Sequence, residues 1–339
     1  ADINTNWDND TDKALYQATA RFFRAYAYRY LVYLYGDVPY VETIETNYRT
    51  DFTRTPKAEV LEKMINDLKF AEENLPENPD KVETGKLTTW AAKHLLSEVY
   101  LMAGLYTEAK TKADEVITSP YFHSMQQNER FGAEKDKPGD VFHDMFIENN
   151  QNRTSGNMES IWVMQYEYQT DGGGGAYDDW TRRAWNPRYW DKLEGFTLAD
   201  SLGGRGLAQI VPLTWWIEDQ TDFYDANDIR NSEYNIKRHW YYNDPQYPDK
   251  VGKEAPITKE TREKNQIYPV ITKFFYGKAD NLTYEGNNKD RMKFRLAETY
   301  LLKAEACIQL GDTKGAKEAI NAVRTVSYTH LTLPTTPYV

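Results

Sequence analysis

GKLTTWAAKHLLSEVYLMAGLYTEAKTKADEVI, residues 85–117, has a partner near the other end of the chain, where residues 290–324 finish as RLAETYLLKAEACIQLGDTKGAKEAINAVR. Setting Gly104 on Gly311 places Glu98 on Glu305, Ala109 on Ala316, Lys110 on Lys317 and Val116 on Val323. Each stretch reads as a helix, a Gly turn and a second helix. A small residue follows the Gly by about one helical turn, where two helices must approach closely. That is the helix-hairpin logic of tetratricopeptide repeats. It predicts a mostly α fold, a tetratricopeptide-like scaffold in which the hairpins serve either as packed framework or as a peptide-binding groove.

Working outward, residues from about Thr11 to Tyr35 carry apolar and aromatic positions at helical spacing: Leu15, Ala18, Phe22, Tyr26, Tyr30 and Tyr33. Gly36 and Pro39 supply the stop. Asp8-Asn9-Asp10-Thr11-Asp12 imitates the start of an EF-hand loop, but Lys13 stands where Gly is needed and Thr19 where Glu is needed, so it reads as acidic N-capping. Thr55-Pro56 reads as an N-cap followed by Pro at the first helical position, opening a helix through Leu61, Ile65, Leu68 and Leu75 that Pro76 and Pro79 close. Residues 119–289 lack sustained periodicity. Short strand-like runs, Ser160–Tyr168 and Ile267–Phe275, sit there among Gly and Pro breaks. The organisation expected is a helical scaffold over 1–118, an irregular ligand-presenting insert over 119–289 and a closing hairpin over 290–325.

Composition excludes several functions. The 339 residues carry a formal charge of −11, a pI near 5.1 and a mean hydropathy of −0.78. This opposes binding to nucleic-acid phosphates or anionic lipid. No run approaches the ~18 apolar residues of a membrane span. A lone cysteine, Cys307, rules out internal disulfides and multi-cysteine zinc, and its place on an apolar helix face reads as a buried thiol. His94, His123, His143, His239 and His330 are scattered without metal-site spacing; His94 reads as a packed or half-exposed helix residue. Gly172–Gly175 and Gly203-Gly204-Arg205-Gly206 lack nucleotide-binding context and read as turns. No cofactor or metal is expected. No nucleophile motif occurs, and Asp178/Asp179 and Asp225/Asp228 are candidate carboxylate pairs only by proximity to aromatics.

Stacking remains. The chain holds 13 Phe, 9 Trp and 26 Tyr, and between Tyr177 and Tyr242 six Trp, six Tyr and two Phe alternate with Asp, Asn and Arg. A pyranose offers an apolar C–H face to flat rings and a rim of hydroxyls to polar groups. The candidate glycan-binding residues are Tyr177, Trp180, Trp185, Tyr189, Trp190, Trp240 and Tyr241. The competing reading has some rings, Trp162, Trp215 and Trp216 foremost, packing the insert onto the helices.

Several runs together resemble one family in order: RFFRAYAYRYLVYLYGDVPYVE (21–42), RTPKAEVLEKMINDLKFAEENLP (54–76), residues 85–109, GGRGLAQIVPLTWWIEDQ (203–220), Asp228-Ile229-Arg230 and residues 295–324. They look like the SusD-like (RagB/SusD) glycan-capture lipoproteins, over nearly all of 10–325. The resemblance implies a tetratricopeptide-like scaffold with a ligand-presenting insert and non-catalytic binding of oligo- or polysaccharide. It also implies a place at the outer face of the outer membrane through a lipidated cysteine, and delivery to a TonB-dependent β-barrel transporter. The anchor cysteine is absent from this sequence, which reads as an internal fragment. VSYTHLTLPTTPYV (326–339) breaks the helical pattern and resembles translated sequencing adapter, with an unstructured terminus as the alternative. A tetratricopeptide protein-docking scaffold and a glycoside hydrolase are the other functions the sequence allows.

Overall fold

The computed structural model describes residues 6–43, 48–124, 129–174, 179–213, 228–276 and 281–327. The chain is mostly helical, and its scaffold is tetratricopeptide-like. Helix α1 spans Asp10–Tyr35, α2 Lys57–Asn74, α3 Thr89–Met102 and α4 Tyr106–Ile117. The alignment that sets Gly104 on Gly311 also sets Thr89 on Leu296, Met102 on Gln309 and Tyr106 on Thr313. These are the boundaries of the closing pair, Leu296–Gln309 and Thr313–Ser327, called α8 and α9 below.

Both turns use the same device. Gly104 and Gly311 each adopt φ +75°. Leu105 N–H donates to Tyr100 O at 2.9 Å and Asp312 N–H to Cys307 O at 2.8 Å, while each glycine N–H bonds three residues back. This is a Schellman cap, which a side chain would strain. Ala109 and Ala316 are both buried, and Ser97 Oγ donates to Ala109 O at 2.9 Å across the α3–α4 crossing. Although far apart in sequence, the hairpins are neighbours: α4 packs on α8, with Lys303 Nζ 2.6 Å from Asp114. His94, fully buried on α3, bonds Thr299 Oγ1 at 2.9 Å. Cys307 is buried as expected.

The α1 face differs from the simple spacing. Ala18, Phe22, Ala25, Tyr28 and Val32 are buried, whereas Tyr30 and Tyr33 are exposed. Aromatic residues crowd both faces of this helix, so periodicity alone does not orient its second half. Asn9 caps α1 by accepting from Asp12 N–H at 2.8 Å, and Gly36 at φ +71° ends it. Helix α2 begins one residue later than expected. Pro56 is the cap residue without a side-chain bond, and Asp37 accepts the Lys57 N–H at 2.8 Å. Helix α9 runs through Ser327 rather than breaking at 326.

Between the hairpins lie short elements: α5 (Val141–Asp144), β1 (Ser160–Met164), α6 (Thr181–Trp185), β2 (Ile236–Lys237), β3 (Trp240–Tyr241), β4 (Glu254–Ala255), α7 (Lys259–Glu263), β5 (Val270–Ile271) and β6 (Arg291–Arg295). The strands form three antiparallel pairs, β1–β6, β2–β5 and β3–β4. Of the two strand-like runs, only the first five residues of 160–168 and Val270–Ile271 of 267–275 become strand; Thr272–Phe274 turns as a 3-10 helix.

Two main cores result. The scaffold core receives Ile161 and Trp162 from β1 and Phe294 from β6, so this strand pair bolts the insert to the helices. Trp162 meets Phe22, Tyr26 and Phe294 at ring separations of 5.6, 5.3 and 5.5 Å, the packing role considered for it. The insert has its own core around Tyr189, Phe196, Trp240, Ile267, Tyr268 and Val270.

Candidate functional site: a basic cleft with an aromatic wall

Strand β6 alternates RMKFR. With a side-chain period of two, Phe294 enters the scaffold core while Arg291, Lys293 and Arg295 share the other face. That face floors a cleft of about 330 Å³. Asp179 and Thr181, at the start of α6, and the turn Lys273–Phe274 form its walls, with Phe146, Asn287 and Lys289 completing them.

The walls are tightly bonded. Asp179 accepts from Thr181 N–H at 2.8 Å and Thr181 Oγ1–H at 2.6 Å, and from Arg291 Nε at 2.7 Å with a second Arg291 contact. Asn287 Nδ2 donates to Thr181 Oγ1 at 3.1 Å. Asp290 accepts from Tyr166 N–H at 2.8 Å and Asn152 Nδ2 at 2.6 Å, and burial raises its pKa. Arg295 pairs with Glu159 at 2.8 Å. Buried Lys289 donates to the carbonyls of Phe146, Lys273 and Phe275 at 2.6, 2.8 and 3.1 Å. Burial pulls its pKa down to about 7, against which those three acceptors favour the proton.

Lys273 is different. Its side chain reaches solvent, yet the concave wall and Arg295 pull its pKa down to about 8, burial first. Its Nζ lies 4.7 Å from the Phe146 ring centre. Phe274 stacks on Trp185, ring centres 5.2 Å apart and planes 19° apart. The aromatic wall thus stands beside polar and charged groups.

The seven candidate rings divide. Trp185 joins this wall through Phe274, and Trp180, 42% exposed, adjoins Asp179 and Thr181 and stacks with Arg183 at 4.4 Å. Tyr189 and Trp240 are fully buried. Tyr189 OH donates to Ala199 O at 2.9 Å and Trp240 Nε1 to Tyr268 O at 3.0 Å, so these two rings build the insert core and offer no face to a ligand. Half-buried Trp190 is tied to Gly206 O at 2.9 Å and covered by Arg205. Tyr241 is exposed on β3, opposite Glu254, and is not among the residues of the cleft. Tyr177, Trp215 and Trp216 lie outside the described residues, as do Asp178 and Asp225; Asp228 is held by Arg230. Gly203–Gly206 is a turn packed against its own chain: a Cβ on Gly206 would sit 2.2 Å from Asn186 O. Phe274, Lys273, Lys289 and the β6 cations escaped the sequence reading, which joined 290–295 to the helical repeat. Their signal was the period-two alternation of RMKFR.

Among the described residues no cluster of three or more His, Cys, Asp or Glu is placed to hold a metal, and no helix is long and apolar enough to cross a membrane.

This combination of helical-hairpin scaffold and aromatic-walled insert has relatives. Residues 2–101 match a family model described as starch-binding associating with outer membrane. Residues 141–326, more than half the chain, match the SusD family model. The chain belongs to the SusD family. SusD-like protein P25 of Formosa agariphila is 25% identical over 328 residues, covering 91% of this chain and 54% of that protein. SusD-like protein P2 of the same organism is 27% identical over 313 residues, covering 90% and 54%. The chain spans about half the length of these curated relatives. Among solved structures, surface glycan-binding protein A from Bacteroides thetaiotaomicron, in complex with laminarihexaose, superposes with TM-score 0.65 at 19% identity, covering 97% of this chain and 65% of that one. A SusD superfamily protein from Parabacteroides distasonis gives TM-score 0.67 at 19% identity, covering 98% and 64%.

Proposed function

We propose that this chain is part of a surface glycan-binding protein of the outer membrane, capturing oligo- or polysaccharide without cleaving it and delivering it to a TonB-dependent β-barrel transporter. The observation that carries the binding reading is the cleft itself, where the Trp185–Phe274 stack supplies a flat face beside Thr181, Asn287 and the charged groups of β6. Family membership supports it, as does the likeness in fold to a protein solved with laminarihexaose. Asp179 and Asp290 support the absence of catalysis. A hydrolase needs one carboxyl to give a proton and another to attack or activate water, and here both are engaged by internal donors. Membership of a family associated with the outer membrane supports the location; the transporter partner and a lipid anchor follow from the same resemblance.

The test is retention on a polysaccharide panel, with chromatography of the same mixtures for released sugars. Retention without release supports capture, and release turns the reading to a hydrolase. Trp185→Ala should weaken retention at least several-fold, as the loss of one stacking contact of ~1 kcal/mol predicts, with helical circular dichroism unchanged. Absence of retention by the folded protein refutes the reading. Co-purification of the whole protein with a TonB-dependent barrel from outer membranes tests the delivery step. One observation favours a protein ligand instead: Tyr16, Phe23, Tyr30 and Leu34 form an exposed stripe on α1.

A further inference from the structure

The chain carries a net charge of −11, yet its aromatic-walled cleft gathers Lys273, Lys289, Arg291, Lys293 and Arg295 against the carboxylates Asp179 and Asp290. Three of these cations have internal partners. Arg291 is held by Asp179, Arg295 by Glu159 and Lys289 by three carbonyls. Lys273 and Lys293 have no ion pair among the described residues. Burial lowers both pKa values, that of Lys273 to about 8 and that of Lys293 with further help from Arg291 and Arg29. Holding unpaired ammonium groups among like charges costs folding free energy and serves no packing purpose.

The hydrogen-bond inventory points the same way. A neutral sugar rim needs acceptors as well as donors. The two cleft carboxylates already accept from Thr181, Arg291, Tyr166 and Asn152. What remains open toward a ligand is donor-rich and positive, next to the ring face of Phe274.

We propose, resting on the glycan-binding reading, that this cleft selects an anionic glycan, one whose sugars carry sulfate esters or uronate carboxylates, and that Lys273 and Lys293 meet that charge. A sugar ring lies against Phe274 and Trp185 while its anionic substituent replaces water around the two ammonium groups. The paired Arg291 and Arg295 stay in place and add to the positive field.

The experiment compares three probes on the full chain: a sulfated galactan, polygalacturonate and the neutral glucan laminarin. Either anionic probe, or both, should bind at least ~10-fold more tightly than laminarin, and the preferred one names the anion. Raising salt from about 0.05 to about 0.5 M should weaken anionic binding, because the Debye length shrinks several-fold. The double variant Lys273→Ala/Lys293→Ala should lose ~10-fold or more of anionic affinity, as removal of charged hydrogen-bond donors predicts. Its melting temperature should be unchanged or higher, since the cations are unpaired. Lys250→Ala, which removes a cation paired with Glu194 at 2.9 Å outside the cleft, should leave binding unchanged and controls for net charge. Laminarin bound as tightly as the anionic probes, or anionic binding indifferent to the double variant, overturns this inference and leaves glycan capture standing. Binding of no glycan in a broad neutral and anionic panel overturns both.

Discussion

Trp162→Ala tests how the insert is joined to the scaffold. Trp162 is 4% exposed. Its indole packs edge-on to Phe22, Phe23 and Tyr26 at 5.6, 5.8 and 5.3 Å, and its Nε1–H reaches Gly85 O at 3.2 Å. Truncating a buried Trp to Ala costs about 3–5 kcal/mol through lost transfer energy and the cavity left behind. Orphaning the Gly85 carbonyl adds about 1 kcal/mol where water cannot reach it. The partners come from α1, the turn before α3 and β6, so the cavity cannot close by moving one element. An expected loss of about 4–5 kcal/mol is a large part of the stability of an average domain. Urea unfolding followed by tryptophan fluorescence and by far-UV circular dichroism should show the midpoint falling. The fluorescence transition, weighted to the Trp-rich insert, should separate from the helical one as the two cores uncouple. Trp162→Phe should recover most of the loss. A cost below about 1 kcal/mol, with the two probes still coincident, refutes the assignment of Trp162 as the bolt between the cores.

The glycines make a second, graded prediction. Gly104→Ala and Gly311→Ala each place a Cβ at φ +75° in nearly open space, so each should cost about 1–2 kcal/mol from backbone strain alone, and the two costs should add because they lie in separate turns. Gly206→Ala should cost more, since its Cβ meets the Asn186 carbonyl at 2.2 Å; thermal melts of the three variants check the order. A third prediction concerns pH. A bound anion favours the charged form of Lys273, whose pKa lies at about 8, so binding takes up a proton and affinity for an anionic glycan falls as pH rises through that value. Lys289, Arg291, Lys293, Arg295, Asp179 and Asp290 share the cleft with it, and the Lys289 ammonium is turned to its three carbonyls. If the protonated form alone binds, affinity drops about tenfold between pH about 7 and about 9, while Lys273→Arg flattens the profile in titration calorimetry. An unchanged anionic affinity across that range would remove Lys273 from the contact.

The hairpins were legible in the sequence because their code is local. A left-handed cap needs Gly at one position, and a close helix crossing needs a small residue one turn later; both constraints act within about a dozen residues of each other. The same locality made Asn9 readable as a cap. Asp37 as the partner of Lys57 was not, because the contact closes a loop of twenty residues whose geometry no spacing rule contains.

What the aromatic segment does was decided only in three dimensions. Trp185 and Trp240 are chemically alike, yet one stacks on Phe274 beside a cleft and the other fills the insert core under Tyr268. That difference comes from contacts with residues tens of positions away, and ring count or spacing does not encode it. The cations of RMKFR are a parallel case. The sequence supplies their alternation, but their meeting with Lys273, Lys289 and Phe274 depends on β6 pairing with β1 across more than a hundred residues. By itself the sequence determined the repeating helical frame and the presence of many rings. Tertiary packing determined which rings are core, which are open to a ligand, and where unpaired positive charge accompanies them, because burial is a property of the whole chain's arrangement and not of any segment in it.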